Sequence, residues 1–194
     1  MKSSKPIKLN LGCFNKKFPD YINIDCREEC NPDLVDNATT LTKIEDESCD
    51  VIEAIHMLEH LSYKDTEAAL KVWHKKLKKG GIVRISVPDM KTVCGLFLAT
   101  GDKAAFRGSI WGSQRHVADF HLNGFTKESL TKDLLDAGFT DVKEWDWRTT
   151  YPHNYVDSYA SAYYPSMRKN FLCANGKEVD LGGILLSLNL EGVK

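Results

Sequence analysis

Hydrophobic and polar positions alternate along the chain in two rhythms. Short apolar runs rich in β-branched residues, IKLNL (7–11), YINID (21–25), DLV (33–35), DVIEAI (50–55) and GIVRISV (81–87), recur between amphipathic stretches. Runs of that length and content read as strands, and their alternation with helical patterns predicts a parallel α/β sheet. The strongest helical pattern is KDTEAALKVWHKKLKKGG, with Asp65 positioned as N-cap and Ala69, Val72, Trp73 and Leu77 on one face. Lys75, Lys76, Lys78 and Lys79 complement the negative end of its dipole, and Gly80 and Gly81 end it. A second helix, TKESLTKDLLDAG, is capped by Thr126 and stopped by Gly138, with Leu130, Leu134 and Leu135 facing inward. It leads to a strand from Thr140 to Trp147, and GILLSLNLEGV supplies the last strand.

At 194 residues the chain is long enough to bury about 70% of its unfolded surface in one core. No repeat or low-complexity linker divides it, so 1–194 reads as a single domain with an insertion at about 148–182. Twenty-six Lys and Arg against 27 Asp and Glu give a net charge of −1, which supplies no basic field and argues against a nucleic-acid partner. The six cysteines form no CxxC pair, and the N-terminal MKSSKPIKLN is polar, so reduced thiols in the cytoplasm are expected. Cys26 and Cys30 have no second half at zinc spacing. No apolar run approaches the roughly 18 residues that span a bilayer, so no membrane partner is expected.

The candidate chemistry starts at LNLGCFNKKFPDYINIDC, where a strand runs into a glycine loop and a second strand ends in an acid. A dinucleotide site needs G-x-G-x-x-G, a full helix aimed at the pyrophosphate and an acid about 20 residues on. Only Gly12 is in place here, the loop is too short for a helix, and Asp25 follows Gly12 by 13 residues. A cofactor without phosphates needs only close backbone approach and a carboxylate for its ribose, and S-adenosylmethionine is such a cofactor.

Taken in order, LNLGC, PDYINID, NATTL, DESCDVIEAIHMLEHL, LKKGGIVRISVPDM, HLNGFTKESL, LLDAGF and LLSLNLE make the chain similar to class I S-adenosylmethionine-dependent methyltransferases. Within that group it resembles the small type 11-like branch often found beside glycan-biosynthesis enzymes. The resemblance implies a Rossmann-like seven-stranded sheet with helices on both faces and an antiparallel C-terminal strand. It implies that Gly12 and Cys13 line the methionine and ribose side, with Phe14 and Cys26 adjoining, and that Asp25 holds the ribose hydroxyls. Asn37 and Ala38 match positions that meet the adenine, Asp36 is a second choice there, and His56 would border the methyl group. Phe14 stands where the family has a second loop glycine, and its ring is expected to wall the acceptor side.

HMLEH, residues 56–60, also fits H-x-x-E-H, an inverted zinc-protease signature in which His56 and His60 would chelate and Glu59 would act as base. DVIEAI runs straight into His56, however, so the motif sits at a strand end without an obvious third ligand, and no metal is expected. In HVADFHLNGF (116–125), Asp119 and His121 lie where this architecture puts substrate-facing loops, and His60 is a further pocket candidate. His121 is the first choice for a catalytic base. Tyr151, Tyr155, Tyr159 and Tyr163 recur every four residues in the insertion, a stripe suited to packing, a homodimer contact or stacking on an acceptor, with Arg148, Arg168 and Lys169 flanking it. The fourth strand ends in EAIHM and lacks the Asn/Asp-Pro-Pro-aromatic run of enzymes that methylate nucleic-acid amines. The expected activity is methyl transfer to a small molecule, such as a sugar or glycan precursor. A binding protein on the same fold is the alternative.

Overall fold

The structure is a computed structural model that describes residues 5–150, 163–164, 170–172, 178–180 and 183–194. Four strands form first: β1 (Lys8–Leu11), β2 (Ile22–Asp25), β3 (Leu34–Val35) and β4 (Cys49–Ile55). Helix α1 (Tyr63–Lys76) leads to β5 (Leu77–Pro88), and α2 (Met90–Thr100), α3 (Lys103–Trp111) and α4 (Lys127–Asp136) follow before β6 (Thr140–Glu144) and the one-turn α5 (Trp147–Thr150). The remaining described elements are β7 (Tyr163–Tyr164), β8 (Asn170–Leu172), β9 (Glu178–Asp180), β10 (Ile184–Leu185) and β11 (Ser187–Val193). Seven strands make one sheet in the order β3-β2-β1-β4-β5-β11-β6, parallel except for β11, which runs antiparallel between β5 and β6. β8 pairs with β9, and β10 with β7, in two small antiparallel ribbons.

The register sorts side chains onto two faces. Leu9, Leu11, Ile24, Ile52, Ala54, Val83, Ile85 and Leu190 form the apolar face, on which α1 packs Ala69, Leu70 and Trp73 and α4 packs Leu130 and Leu134. The other face carries a polar row at one level: Asn23 beside Asn10, Asn10 beside Glu53, Glu53 beside Arg84, and Arg84 beside Glu191. Its members bond along the row, Asn10 Nδ2 donating to Asn23 Oδ1 at 2.9 Å and Arg84 to both Glu53 (3.3 Å) and Glu191 (3.0 Å). Burying such groups is tolerable only because they are paired.

β1 and β2 are joined by residues 12–21 alone, fewer than the dozen or more a helical crossover needs. Asn23 holds this loop instead. Its Oδ1 accepts from Phe18 N–H at 2.7 Å, and its Nδ2 donates to Phe18 O, Tyr21 O and Asp33 Oδ2 at 3.2, 3.3 and 2.6 Å. Because β1 pairs with β2 on one side and β4 on the other, the chain changes direction there, and a crevice opens at the carboxyl ends of these strands.

Several sequence expectations need correcting. Ser62, not Asp65, caps α1, because its hydroxyl accepts the Asp65 N–H at 3.2 Å while Asp65 accepts the hydroxyl proton at 2.7 Å. The helix stops at Lys76, since Leu77 already belongs to β5, so Gly80 and Gly81 lie inside that strand. Leu135 is exposed, one position round from buried Leu134. β6 ends at Glu144, and the Trp145 indole N–H turns inward to Ile85 O at 3.2 Å. α2 and α3 were not anticipated. Tyr151, Tyr155, Tyr159, Arg168 and Lys169 lie outside the described residues, as do the side chain of Tyr163 and with them the proposed dimer face; Arg148 pairs with Asp146 at 2.6 Å. No helix among the described residues is long and apolar enough to cross a membrane.

Asn23→Ala should leave Phe18 N–H and Asp33 without their side-chain partner and is expected to destabilise the fold by about 2 to 4 kcal/mol in urea denaturation.

Candidate active site

A cavity of about 610 Å³ lies at the carboxyl ends of β1, β2 and β4, roofed by α3 and by the segment from Gly112 to His121. At its floor Gly12 has φ +64°, and a Cβ added there would stand 2.3 Å from Met57 Cγ, so both conformation and space demand glycine. Phe14 is also left-handed (φ +44°), held there by its N–H, which donates to Asp25 Oδ2 at 2.9 Å. Asp25 Oδ1 accepts the Arg27 N–H at 3.0 Å and lies 3.4 Å from Arg27 Nε. A carboxylate offers roughly four acceptor sites, so Asp25 can fix the loop and still receive a hydroxyl from the cavity. The Phe14 ring lies between two guanidinium groups, 5.1 Å from Arg27 and 5.9 Å from Arg115, and joins the floor to the roof. Arg27 Nη1 adds a 2.7 Å contact to His116 Nε2. Cys13 is buried, and burial with the nearby Asp25 charge pushes its thiol to about 11, so it lines the floor as an inert group. Cys26 is exposed at the rim.

At the far end of the crevice Asp36 is largely occupied, accepting Asn37 N–H (2.8 Å), Lys43 N–H (2.9 Å) and the Thr42 hydroxyl (3.2 Å). It shapes the turn that presents Asn37 and Ala38 to the cavity. Asn37 Oδ1 accepts from Thr39 N–H and hydroxyl at 2.9 Å each, which leaves its amide N–H groups as donors toward a ligand. Ala38 is fixed through its carbonyl, which accepts the Trp73 indole N–H at 2.7 Å.

The opposite end is lined by imidazoles around one carboxylate. His56 follows β4 with φ +49°, its Nδ1 3.0 Å from Glu59 Oε1 and its Nε2 3.0 Å from Ser187 Oγ. Glu59 and His60 occupy a 3-10 turn, Leu58–His60, and Glu59 is 1% exposed. His121 comes from the roof segment, its Nε2 3.9 Å from Glu59 Oε1, and its ring meets the His60 ring edge-on at 4.8 Å between centroids. Burial pushes the Glu59 carboxyl up, but His56, His60 and His121 outweigh it and hold the group below its usual range. Burial holds His121 below the ordinary imidazole value, against the pull of Glu59.

The structure therefore brings His56, His60 and His121 together and sets Asp119 apart from them. Asp119 braces the roof, accepting from the Ser113 hydroxyl and from Arg115 N–H and Nε (3.3 and 3.2 Å). Gly112 permits that fold-back, since a Cβ there would fall 2.0 Å from Asp119 O. Nothing local in the sequence marks Arg27, Arg115 and His116; the fold brings the two arginines together at the Phe14 ring. HMLEH did flag Glu59, but its partner His121 is remote in the chain.

Residues 9–144 match a family model described as a methyltransferase domain. No curated protein matches the sequence. Among solved structures, the chain is similar to a SAM-dependent methyltransferase from Thermotoga maritima, at 16% identity and a TM-score of 0.60 over 100% of this chain and 84% of that one. It is similar to another from Methanosarcina mazei, at 14% identity and a TM-score of 0.61 over 98% and 93%. Phosphoethanolamine N-methyltransferase 2 of Haemonchus contortus, solved with S-adenosyl-L-methionine, is similar at 12% identity and a TM-score of 0.52, covering 98% of this chain and 49% of that one.

The histidine cluster sets a pH dependence. With the folded His121 below its ordinary 6.5, the unfolded chain binds more protons in that window, so stability rises with pH there and falls on acidification. The depressed Glu59 acts in the same sense only below its ordinary 4.5. Denaturation midpoints measured from about pH 7 to about pH 5.5 should fall, and His121→Asn should flatten the slope.

Proposed function

Because the chain belongs to the methyltransferase-domain family, we propose that it methylates a small molecule, binding S-adenosylmethionine along the β1-β2 crevice and the acceptor beneath the roof segment. Asp25 carries this reading: a buried carboxylate at the end of β2 that faces a glycine-floored crevice. No helix begins within residues 12–21, so the crevice has no helix N-terminus after Gly12 to meet a pyrophosphate, while acceptor sites on Asp25 suit ribose hydroxyls. Asn37 would donate to the adenine edge and Ala38 would flank it, with Asp36 fixing the turn.

S-adenosylmethionine supplies a methyl group on a sulfonium, whose sulfur leaves without needing an acid. What the chain must provide is alignment, exclusion of water and, for a hydroxyl or protonated amine, a destination for the acceptor's proton. Phe14 and the roof segment exclude water. The Glu59, His60 and His121 cluster is the basic group available for the proton, and His56 lines the same cavity beside Glu59.

A cavity of this size, with little net charge around it, suits a small acceptor rather than a polymer. Exposed Trp111 and Phe120 adjoin the cluster, since His121 N–H donates to Trp111 O at 3.2 Å and His60 Nδ1 meets Phe120 O at 3.0 Å. A sugar or glycan precursor is an acceptor of that size.

Calorimetry is the direct test. S-adenosylhomocysteine should bind and NAD should not, and Asp25→Ala should weaken binding by about 1.5 to 3 kcal/mol. Heat with NAD alone, or unchanged affinity in Asp25→Ala, would remove the basis of the assignment.

A further inference from the structure

Glu59, His60 and His121 offer one oxygen and two nitrogen ligand atoms, all within 4.8 Å of one another. Glu59 borders the cavity at 1% exposure, and the groups around its carboxylate among the described residues are imidazoles rather than a lysine or an arginine. His56 Nδ1 stands 3.0 Å from Oε1, an ion pair only when that ring is protonated. A buried carboxylate left in that condition calls for a cation.

The two histidines are arranged to help supply its ligands. His60 Nδ1 lies 3.0 Å from Phe120 O and His121 Nδ1 lies 3.1 Å from Ser109 O. A carbonyl only accepts, so each Nδ1 carries a proton, and in the neutral ring that leaves Nε2 with the lone pair. Metal-binding histidines show this same division, a backbone carbonyl fixing the tautomer and ring from behind. The segments that bear the ligands are themselves tied together, because the Glu59 carbonyl accepts Leu122 N–H at 2.8 Å and Asn123 N–H at 3.1 Å. The three donors are thus held close before any ion arrives.

We propose that Glu59, His60 and His121 bind one divalent first-row metal ion, zinc by preference, with coordination positions left open to the cavity for an oxygen of the acceptor. Two imidazoles and one carboxylate are a donor set that zinc accepts, and three protein ligands with an open position are the pattern of catalytic rather than structural sites. The third ligand that H-x-x-E-H lacks comes from the roof segment, in place of His56, which is engaged with Ser187. This inference rests on reading the same cavity as the acceptor site. It turns His121 from a free base into a ligand.

The test uses the full chain, stripped with chelator and titrated with Co²⁺ while visible absorption is recorded, then with Zn²⁺ by calorimetry. One saturable site per chain is expected, with affinity falling at least tenfold in Glu59→Gln, His60→Ala and His121→Ala. Glu59→Gln keeps the shape of the side chain and carries the comparison if a histidine variant does not fold. No saturable uptake, equal uptake by wild type and Glu59→Gln, or thiolate-to-cobalt charge transfer that assigns the ion to cysteines would overturn the site. S-adenosylhomocysteine binding on the same samples separates the two readings. Binding of that ligand without metal uptake overturns the metal site and leaves the methyltransferase reading, whereas metal uptake without it upholds the site and overturns the cofactor assignment.

Discussion

Two parallel strands side by side normally need a helix between them, both to cover the distance and to satisfy the backbone that crosses it. Residues 12–21 have room for no helix, and the side-chain amide of Asn23 supplies donors and acceptor to the loop at Phe18 and Tyr21. With the far end of the loop held, its near end is free to take up the two left-handed residues Gly12 and Phe14. Their geometry delivers the Phe14 N–H to Asp25, and Asp25 in turn orients Arg27. The Asp25 end of the crevice is thus the far end of a chain of polar contacts that starts in the sheet.

The end of the cavity lined by Glu59 and the histidines depends on a second chain of contacts that meets the first at Phe14. Its ring lies against Arg115, which Asp119 holds, and Arg27 reaches His116. Gly112 allows the roof to turn back on itself and so brings His121 over Glu59. The departure from a glycine-rich loop has a physical role: a side chain at position 14 reaches from floor to roof, which glycine could not do.

The parts of this architecture that depend on neighbours in sequence were legible there. β1 to β5 follow apolar β-branched runs, and α4 follows its capping box, in which Thr126 and Ser129 satisfy each other's backbone. α2 and α3 are harder to read because both are short and each contains a glycine, although Asp89 and Asp102 cap them and Gly101 and Gly112 end them. Asp65 was misread as a cap because Ser62, three residues earlier, makes an equally good one. In the site, Gly12 and Asp25 showed through their spacing from two strands. Asp119 also lines the cavity, where Ser113 and Arg115 hold its carboxylate, partners that its sequence neighbourhood did not announce. The meeting of Glu59 with His121 could not be read at all, since only the return of the chain after α3 brings them together.

The polar row from Asn23 through Asn10, Glu53 and Arg84 to Glu191 also bears on how the sheet assembles. Side chains alternate between faces, so a strand that slips by one residue exchanges its two faces completely. In most parallel sheets both faces are apolar and such a slip is only a packing error. Here it would drive a carboxylate, a guanidinium or an amide into the interior occupied by Leu11, Ile52 and Ile85, while pulling its partners apart. The row therefore works as a proofreading device, making misaligned sheets far costlier than the aligned one once the helices cover the apolar face.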